Sequence, residues 1–471
     1  MKKFITAIIL ITVLCSAAFA VLANSGPVFW KGYPSSDIML IEENSPITVK
    51  NENLIFDFSD DTGSDYTIRG KVTATYEMAN SADKPQSVQM AFPFVGRLNE
   101  LSPNDITIVA DGSSVPHDIF IGDIVDSYGA LAQDKEPSFE FKDIVNTITY
   151  EPYKAENFTE NEKGKLYTIY VKPIDEQRIN LAVDFNFDSK KTKVLTYGFN
   201  NGYERNGNNV RIDTWCYKPE ILQIYVLGED INFNINAYTD GELSKKTDLF
   251  THQILTKEVE LKPYLMEYIR NNDYRKNNGM FSDIQLYNLY AKVLDNYFTK
   301  NMGYSSEHDL YEYGNYQRIL TLVYTVEFPG NSEKEVSVSY NASGTMDKRE
   351  TSEPLYSFDY ILNPAKNWED FKNLNITVIT PRKAPYIVKS STKFTKGENN
   401  TYTVTLSKLP EGDLSFTLYA HEKITLLDKI QGKLRMNLWH FIFLLIYATV
   451  FVIVGIIIVK LILRSKKNRY I

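Results

Sequence analysis

An acidic turn is the first stretch of this chain whose residue types could do chemistry. The run FDFSDDTGSDYT gathers four carboxylates around the flexible Gly63: Asp57, Asp60, Asp61 and Asp65. Carboxylate oxygens are the ligands that calcium prefers, although this spacing does not match an EF-hand loop. Two interpretations follow, a weak calcium site and a solvated acidic turn, and the spacing favours the second.

The motifs of common hydrolases are incomplete. A zinc peptidase of the usual type needs two histidines one helical turn apart with a glutamate between them, but His421-Glu422 is followed by Lys-Ile-Thr. Ser390 and Lys393 form an S-x-x-K pair without the companion motifs of penicillin-binding enzymes. The other histidines are far apart in the sequence: His117, His252, His308 and His440. The sequence therefore identifies no catalytic or cofactor-binding residue, although glycosidase carboxylates stay open because distance in space defines them.

The chain contains two cysteines, Cys15 and Cys216. Cys15 lies in the apolar run at the amino terminus, which we expect to be removed, so no internal disulfide remains. Cys216 lies between Trp215 and Tyr217 in a strand-like run. We expect it to be a buried small hydrophobe rather than a reactive thiol.

Alternation of apolar and polar residues predicts strands from Leu54 to about Lys262. GKVTATYEMAN and QSVQMAFPF, with a turn between Asn80 and Pro85, predict an antiparallel hairpin, and DITIVADGSSVPHDIF predicts another around Asp111-Gly112. Further predicted strands are FEFKDI, KLYTIYV, INLAVDFNF, KVLTYGF, VRIDTWCY, ILQIYVL and INFNINAY. We therefore predict an N-terminal β-sandwich region at 24–262.

The spacing of apolar residues becomes helical at 263–306, which predicts a helical insert or linker between the two β regions. DIQLYNLYAKVLDNYFTK spaces apolar residues at three- and four-residue steps, and Ser282 with Gln285 suggests a capping box. PYLMEYIRNN predicts a weaker helix before it. The stripe of Tyr and Leu on the longer helix is either a packing face or one wall of a ligand groove, and packing is the more ordinary outcome.

Strand patterns return at 307–423 and predict a C-terminal β-sandwich domain. The next piece, 424–437, spaces Leu426, Leu427, Ile430 and Leu434 at helical steps and predicts a short juxtamembrane stalk. The predicted fold class is thus mainly β, with two or more antiparallel β-sandwich domains, a short helical insert and one C-terminal transmembrane helix.

The two ends of the chain predict its location. Residues 1–23 have a cationic start, an apolar run and an A-x-A pattern, as in a secretory signal peptide. Leu438 to Val459 holds 22 residues without a formal charge, enough for a helix to cross a hydrocarbon layer of about 30 Å. We predict a membrane helix at 438–463, a cytoplasmic tail at 464–471, and an extracellular type I body.

The charge of the exported part excludes one class of partner. The whole chain carries −8, and seven lysines and arginines at its two ends account for +7, which leaves −15 for the body. Nucleic-acid binding relies on cationic side chains that neutralise phosphates. We therefore expect no nucleic acid, and expect membrane lipid, contacted through the C-terminal helix, and an envelope protein or glycan as partners.

Three stretches together resemble a family of bacterial secreted, membrane-anchored, β-rich envelope proteins of unknown function. They are SSDIMLIEENSPITV with VTATYEMANSADKPQSVQMAFPF, which ends at the pair Phe92-Pro93, then YTVEFPGNSEKEVSVSY, then YILNPAKNWEDF. The resemblance implies β-sandwich domains and an envelope location, and it supplies no catalytic residue.

Three functional hypotheses follow. The first is a non-catalytic cell-surface protein whose β-sandwich module serves binding or assembly. The second is an envelope hydrolase that acts on wall polymers with dispersed carboxylates. The third is an extracellular subunit of a membrane complex. The 32 Tyr and 26 Phe supply aromatics for recognition, but they also fill sandwich cores, so composition does not separate these hypotheses.

Overall fold

The computed structural model describes residues 29–36, 38–41, 45–61, 66–98, 101–102, 105–125, 141–174, 177–271, 279–314, 316–362, 368, 370–433 and 456. The predicted signal peptide lies outside these residues, as does the predicted membrane helix apart from Ile456. Within the described part of the chain, no helix has both the length and the apolar composition needed to cross a bilayer. The transmembrane helix therefore stays a prediction.

The described chain is mainly β. Its strands are β1 Phe29–Trp30, β2 Ser35–Ser36, β3 Met39–Leu40, β4 Ile47–Asp57, β5 Arg69–Asn80, β6 Gln86–Gly96, β7 Ile106–Ala110, β8 Ser113–Ser114, β9 His117–Ile124, β10 Lys163–Pro173, β11 Ile179–Asn186, β12 Thr192–Tyr197, β13 Gly202–Asn206, β14 Asn209–Cys216, β15 Glu220–Gly228, β16 Phe233–Tyr238, β17 Lys246–Thr247, β18 Phe250–Glu260, β19 Tyr304–Ser306, β20 Arg318–Phe328, β21 Ser332–Ser343, β22 Thr345–Asp347, β23 Leu355–Ile361, β24 Leu374–Ile379, β25 Tyr386–Ser390, β26 Thr395–Lys396, β27 Thr401–Leu406 and β28 Leu414–Tyr419. Its helices are α1 Phe141–Thr147, α2 Leu261–Asn271, α3 Asp283–Lys300, α4 Glu307–Gly314 and α5 at 426–433.

The chain divides into two compact units that interleave along the sequence. Unit 1 comprises Met1–Ser35, Ile47–Ala79 and Glu333–Ile471, and unit 2 comprises Ser36–Pro46 and Asn80–Ser332. The sequence predicted two consecutive β domains, at 24–262 and 307–423. In the structure, strands that are far apart in the sequence pair within one unit. In unit 1, for example, β4 runs parallel to β24, with Leu54 opposite Ile376.

The described residues of unit 1 form two sheets. One has the strand order β1-β22-β23-β28-β25, with β2 beside β23, and the other contains β26-β27-β24-β4-β5-β21. Phenylalanines from both sheets meet in the core, where the ring centroids of Phe58 and Phe358 are 4.3 Å apart and those of Phe56 and Phe416 are 5.2 Å apart. This alternation of buried aromatics along each strand is the period-two pattern of a sheet with one face inward.

Unit 2 contains a pair of sheets built from 163–306. One has the order β18-β10-β15-β12-β19 and the other β13-β14-β11-β16-β17. Inward residues of both sheets form one hydrophobic cluster, among them Ile169, Ile224, Val183 and Ile212. The opposite faces of β10, β12 and β15 therefore point away from this core and are available for other contacts.

A third sheet of unit 2, β3-β6-β20-β9, is joined to α3 by polar side chains. The Gln285 side chain accepts from Ile121 N (3.2 Å) and donates to Thr149 O (2.7 Å). Nearly three turns further along α3, Asp295 accepts from Glu156 N and Asn157 N, both at 2.9 Å. These bonds hold the segment at 149–157 against α3, so the helical region is part of unit 2 rather than a linker.

Two predicted elements are corrected. The strands β5 and β6 flank the predicted turn at Asn80–Pro85, but they are not neighbours in any sheet of the described residues: β5 lies beside β4 and β21, and β6 beside β3 and β20. Local spacing suggested a hairpin, but antiparallel pairing over the full length of β20 prevails, with Val88 opposite Val326. FEFKDI, predicted as a strand, contributes instead to α1. The hairpin around Asp111-Gly112 is confirmed as β7 and β8.

Helix α3 has the predicted residues and half of the predicted cap. Ser282 is the N-cap and its side chain accepts from Gln285 N. The Gln285 side chain does not return to the cap, because it binds Ile121 and Thr149. The Tyr and Leu stripe is a packing face, with Tyr287, Tyr290 and Leu294 all buried.

Candidate ligand-binding site

A pocket of about 550 Å³ lies in unit 2, between the outward face of the β18-β10-β15-β12 sheet and the helices α2 and α4. We call it the tyrosine pocket, after Tyr197, Tyr264, Tyr268 and Tyr311. Its other lining residues are Leu166, Asn200, Gln223, Lys257, Glu267, Asn271, Glu307 and His308. Aromatic walls with a few convergent polar groups are typical of ligand sites.

Strand register sets the floor of the tyrosine pocket. Gln223 of β15 lies opposite Tyr197 of β12 and opposite Thr168 of β10. One row along, Tyr225 lies opposite Leu166. Because side chains alternate across a strand, these residues share the face that points away from the core.

Helix α2 forms one wall. Tyr264 stacks on Tyr225, with centroids 4.4 Å apart and planes at 14°. The Tyr264 hydroxyl donates to Gln223 Oε1 at 3.2 Å, and the Tyr225 hydroxyl donates to Val259 O at 2.9 Å. Tyr264 and Tyr268 are four residues apart and so lie on the same helix face. The helix is therefore fixed on the sheet by two tyrosines and presents a third to the pocket.

Helix α4 forms the opposite wall and is fixed at its first turn. Ser306 N donates to Asp309 Oδ2 at 2.8 Å, and Asp309 N donates to Ser306 Oγ at 3.4 Å, which is a reciprocal cap. The next residue, Glu307, accepts from Gly198 N at 2.8 Å. Gly198 has φ +86°, and a Cβ there would lie 2.7 Å from a Leu222 methyl carbon, so this turn requires glycine.

The two walls also contact each other through Tyr268. Its hydroxyl donates to the backbone oxygen of Glu307 at 3.1 Å, and its ring meets Tyr197 edge-on, with centroids 6.3 Å apart. Burial raises the pKa of the Glu307 carboxyl. Burial, and secondarily the Glu307 carboxyl, raises the pKa of Tyr197. The pocket thus combines aromatic faces with a carboxyl that holds its proton more tightly than an exposed glutamate does.

An exposed apolar face adjoins the tyrosine pocket on the same sheet. Tyr170 and Ile221 are opposite each other and are 40% and 52% exposed. Leu255, opposite Thr168, is 49% exposed. These three residues lie on the same side as Gln223 and Tyr197 and extend the aromatic floor outward. We call them the apolar face.

In the acidic turn, Asp57 and Asp61 bind nearby protein groups. Asp57 Oδ1 accepts from Ser59 N (2.9 Å) and Ser59 Oγ (2.6 Å). Asp61 accepts from Arg69 N at 3.1 Å and forms an ion pair with Lys383. Asp60 is exposed, and Asp65 lies outside the described residues. Among the described residues, no group of three or more His, Cys, Asp or Glu could hold a metal, and the calcium site stays a prediction.

The other residues that the sequence singled out have different local surroundings. His308 lines the tyrosine pocket, His252 stacks beside Phe250, and His421 meets Tyr419 edge-on. Ser390 Oγ accepts from Thr392 N at 3.1 Å within a turn. Cys216 is fully buried, and burial raises the pKa of its thiol to about 12, which agrees with a structural rather than reactive cysteine.

Comparisons with known proteins give little that bears on this site. No protein-family model matches the chain, and no curated protein does. Among solved structures, it is similar to a crystal structure of a Legionella pneumophila subsp. pneumophila protein that is provisionally assigned as nutrient binding. The identity is 9%, the TM-score is 0.35, and the match covers 83% of this chain and 73% of the other. A likeness at this level supports neither a shared fold nor a shared function, and the envelope-family resemblance stays a prediction.

Proposed function

We propose that this protein is a non-catalytic cell-surface binding protein and that the tyrosine pocket binds a glycan. One observation carries the proposal: four tyrosines and several hydrogen-bonding side chains converge in a single pocket of about 550 Å³ in unit 2. A cavity of this size accommodates a small ligand or a few units of a longer one.

The chemistry of the lining favours sugar. Tyrosine rings offer flat apolar faces for the C–H face of a pyranose, and a hydroxyl that accepts or donates. Asn200, Gln223 and Asn271 supply both donors and acceptors for sugar hydroxyls. Glu267 and Glu307 outnumber the single Lys257, which disfavours a phosphate or other anionic ligand. We therefore propose a neutral saccharide.

The apolar face supports a ligand longer than the pocket. Tyr170 and Ile221 form the row next to that of Tyr197 and Gln223, on the same face of one sheet. An extended glycan chain could place one unit in the pocket and lay the next across Tyr170. A protein partner in the envelope is the alternative occupant of this face.

The cell-surface location rests on the sequence. A leader at 1–23 and an uncharged run at 438–459 support a membrane-anchored, extracellular body, and the resemblance to bacterial envelope proteins agrees with it. The same features are compatible with an extracellular subunit of a membrane complex. Co-purification after mild detergent extraction distinguishes a solitary binding protein from such a subunit.

Titration with neutral hexasaccharides tests the binding proposal. The full chain, purified in detergent, would be titrated by calorimetry with hexamers of β-1,4-linked N-acetylglucosamine, β-1,4-linked glucose and α-1,4-linked glucose. We expect at least one to bind, and Tyr197→Ala and Glu267→Gln to weaken that binding about 10-fold or more, since each removes a contact worth at least about 1.4 kcal/mol. Tyr217→Ala, at a 56% exposed tyrosine outside the pocket, is the matched control. Absence of binding by all three hexamers, or equal loss in the control, overturns the proposal.

The alternative is a glycan hydrolase, and one observation favours it. Glu307 and Glu267 line the same pocket, and burial raises the pKa of Glu307, as a general acid requires. A reducing-end assay on the same hexamers separates the two functions. Product formation that Glu307→Gln abolishes, while binding persists, establishes the hydrolase instead.

A further inference from the structure

Helix α5, at 426–433 in unit 1, carries large aliphatic side chains that face solvent. Leu426 is 74% exposed, Leu427 is 68% exposed and Ile430 is 45% exposed. On an α-helix, positions three and four apart lie on the same side, so Ile430 lies beside both Leu426 and Leu427, and the three residues form a continuous apolar stripe. Leaving such a stripe in water is unfavourable, which indicates that something covers it.

The opposite side of α5 is fixed to the body of unit 1. Thr425 and Asp428 form a reciprocal cap, since Asp428 N donates to Thr425 Oγ1 (3.1 Å) and Thr425 N donates to Asp428 Oδ2 (2.8 Å). Ser352 Oγ donates to Asp428 Oδ1 at 2.6 Å. A Cβ on Gly432 would lie 2.3 Å from Thr351 N, so the helix and this segment are in close contact. The stripe therefore has a fixed orientation on unit 1.

Charge and chain continuity indicate the occupant. Lys423, Lys429 and Lys433 flank the stripe and are exposed. In the sequence, Leu434 follows Ile430 by four residues, and the uncharged run Leu438–Val459 begins five residues after Lys433. An apolar stripe bordered by lysines is the pattern of helices that lie in the plane of a membrane surface, where lysines contact anionic headgroups.

We propose that α5 lies in the interface of an anionic lipid bilayer, with Leu426, Leu427 and Ile430 at the boundary of headgroups and acyl chains. The proposal rests on the membrane anchoring given under the proposed function. Because α5 is rigidly joined to the segment 350–352, the membrane then holds unit 1 in one orientation. A second copy of the chain on the stripe is the competing outcome.

Depth-dependent quenching tests this on the full chain, after leader removal, in liposomes of phosphatidylcholine with phosphatidylglycerol. An environment-sensitive fluorophore is attached at Leu427→Cys, and the matched control carries it at Lys408→Cys, an exposed loop position of the same unit. Cys216 is fully buried and so does not compete for the label. We expect blue-shifted emission, with at least half of it quenched by shallow spin-labelled lipids, at 427 and neither effect at 408.

Flotation separates the failure of this proposal from that of the anchoring. Liposomes that float with the chain while the 427 label stays water-like overturn the α5 proposal and leave the anchor intact, whereas a chain that does not float overturns both. A blue-shifted label without lipid quenching, together with energy transfer between copies, would show that the stripe serves self-association. That result would also overturn the proposal that α5 lies in the membrane interface. The variant Leu426→Gln, Leu427→Gln, Ile430→Gln changes only exposed positions, so it should fold and float, yet tryptic cleavage after Lys429 should become about 10-fold faster.

Discussion

Tyr264 of α2 stacks on Tyr225 of β15 with ring centroids 4.4 Å apart, and this pair fixes the wall of the tyrosine pocket to its floor. Both rings are buried, with Tyr225 1% and Tyr264 7% exposed. Removing the Tyr264 ring should therefore affect both the stability of unit 2 and the shape of the pocket.

We expect Tyr264→Ala to lower the free energy of unfolding by about 3–5 kcal/mol, because it removes a buried aromatic ring and leaves a cavity. Tyr264→Phe should cost about 1 kcal/mol, since only the hydroxyl bond to Gln223 is lost. Urea unfolding followed by circular dichroism measures both. Tyr217→Ala, at an exposed position, should stay within about 1 kcal/mol of the parent. Equal effects of the Ala and Phe changes would contradict the stacking role.

The pH dependence of stability should reveal the Glu307 carboxyl. Its pKa is raised by burial, so the folded state binds the proton more tightly than the unfolded chain. Its stabilising contribution is therefore complete below the ordinary glutamate pKa and is lost as the pH rises through the folded-state pKa. Relative to the parent, Glu307→Gln should be more stable at pH 7, and this advantage should shrink as the pH falls toward that ordinary value.

Melting temperatures of the parent and of Glu307→Gln, recorded from pH 4 to pH 8, measure this difference in stability. Glutamine retains an oxygen that can accept from Gly198 N, so the variant removes the charge and leaves that bond. Glu267→Gln, at an exposed carboxyl of the same pocket, is the matched control. A Glu307→Gln advantage that grows toward low pH would have the wrong sign for a buried carboxyl.

Sequence reasoning located elements well where the signal is local. The stripe and cap of α3 identified its start at Ser282, because helix periodicity and capping depend on residues within a few positions. The mainly β character and the burial of Cys216 followed from the same kind of signal. The β5–β6 pairing was wrong because strand partners are chosen by long-range complementarity that no local turn encodes.

The tyrosine pocket could not be found in this way, because its lining residues come from positions 166 to 311. One local signal was present: Tyr264 and Tyr268 in PYLMEYIRNN are four residues apart and share a helix face. That spacing does not identify Tyr197 or Glu307, which reach the pocket through strand register and the Gly198 turn. The interleaved units were missed for the same reason.

Asp295 should be a strong determinant of local order in unit 2. It is 4% exposed and accepts from Tyr153 Oη (3.0 Å), Glu156 N (2.9 Å) and Asn157 Nδ2 (2.8 Å). Asp295→Ala leaves these donors without their acceptor, and we expect a loss of about 3 kcal/mol and faster tryptic cleavage after Lys154. Asp295→Asn, which keeps one oxygen, should be intermediate. Glu242→Ala, at an exposed acid, is the control, and an unchanged cleavage rate in Asp295→Ala would refute the anchoring role.

Cys216 should be inert in the folded protein. Its thiol is fully buried and its pKa is raised to about 12, so the reactive thiolate is scarce and inaccessible at pH 8. We expect a maleimide or an aromatic disulfide reagent to react about 100-fold or more slowly with the native chain than with the chain in guanidinium, where the pKa returns to about 8.5. Cys216→Ala should abolish the slow reaction. If a reactive thiol remains in this variant, it is Cys15, so the same experiment reports whether the leader is retained. Fast labelling of Cys216 in the native chain would contradict its burial in the sandwich core.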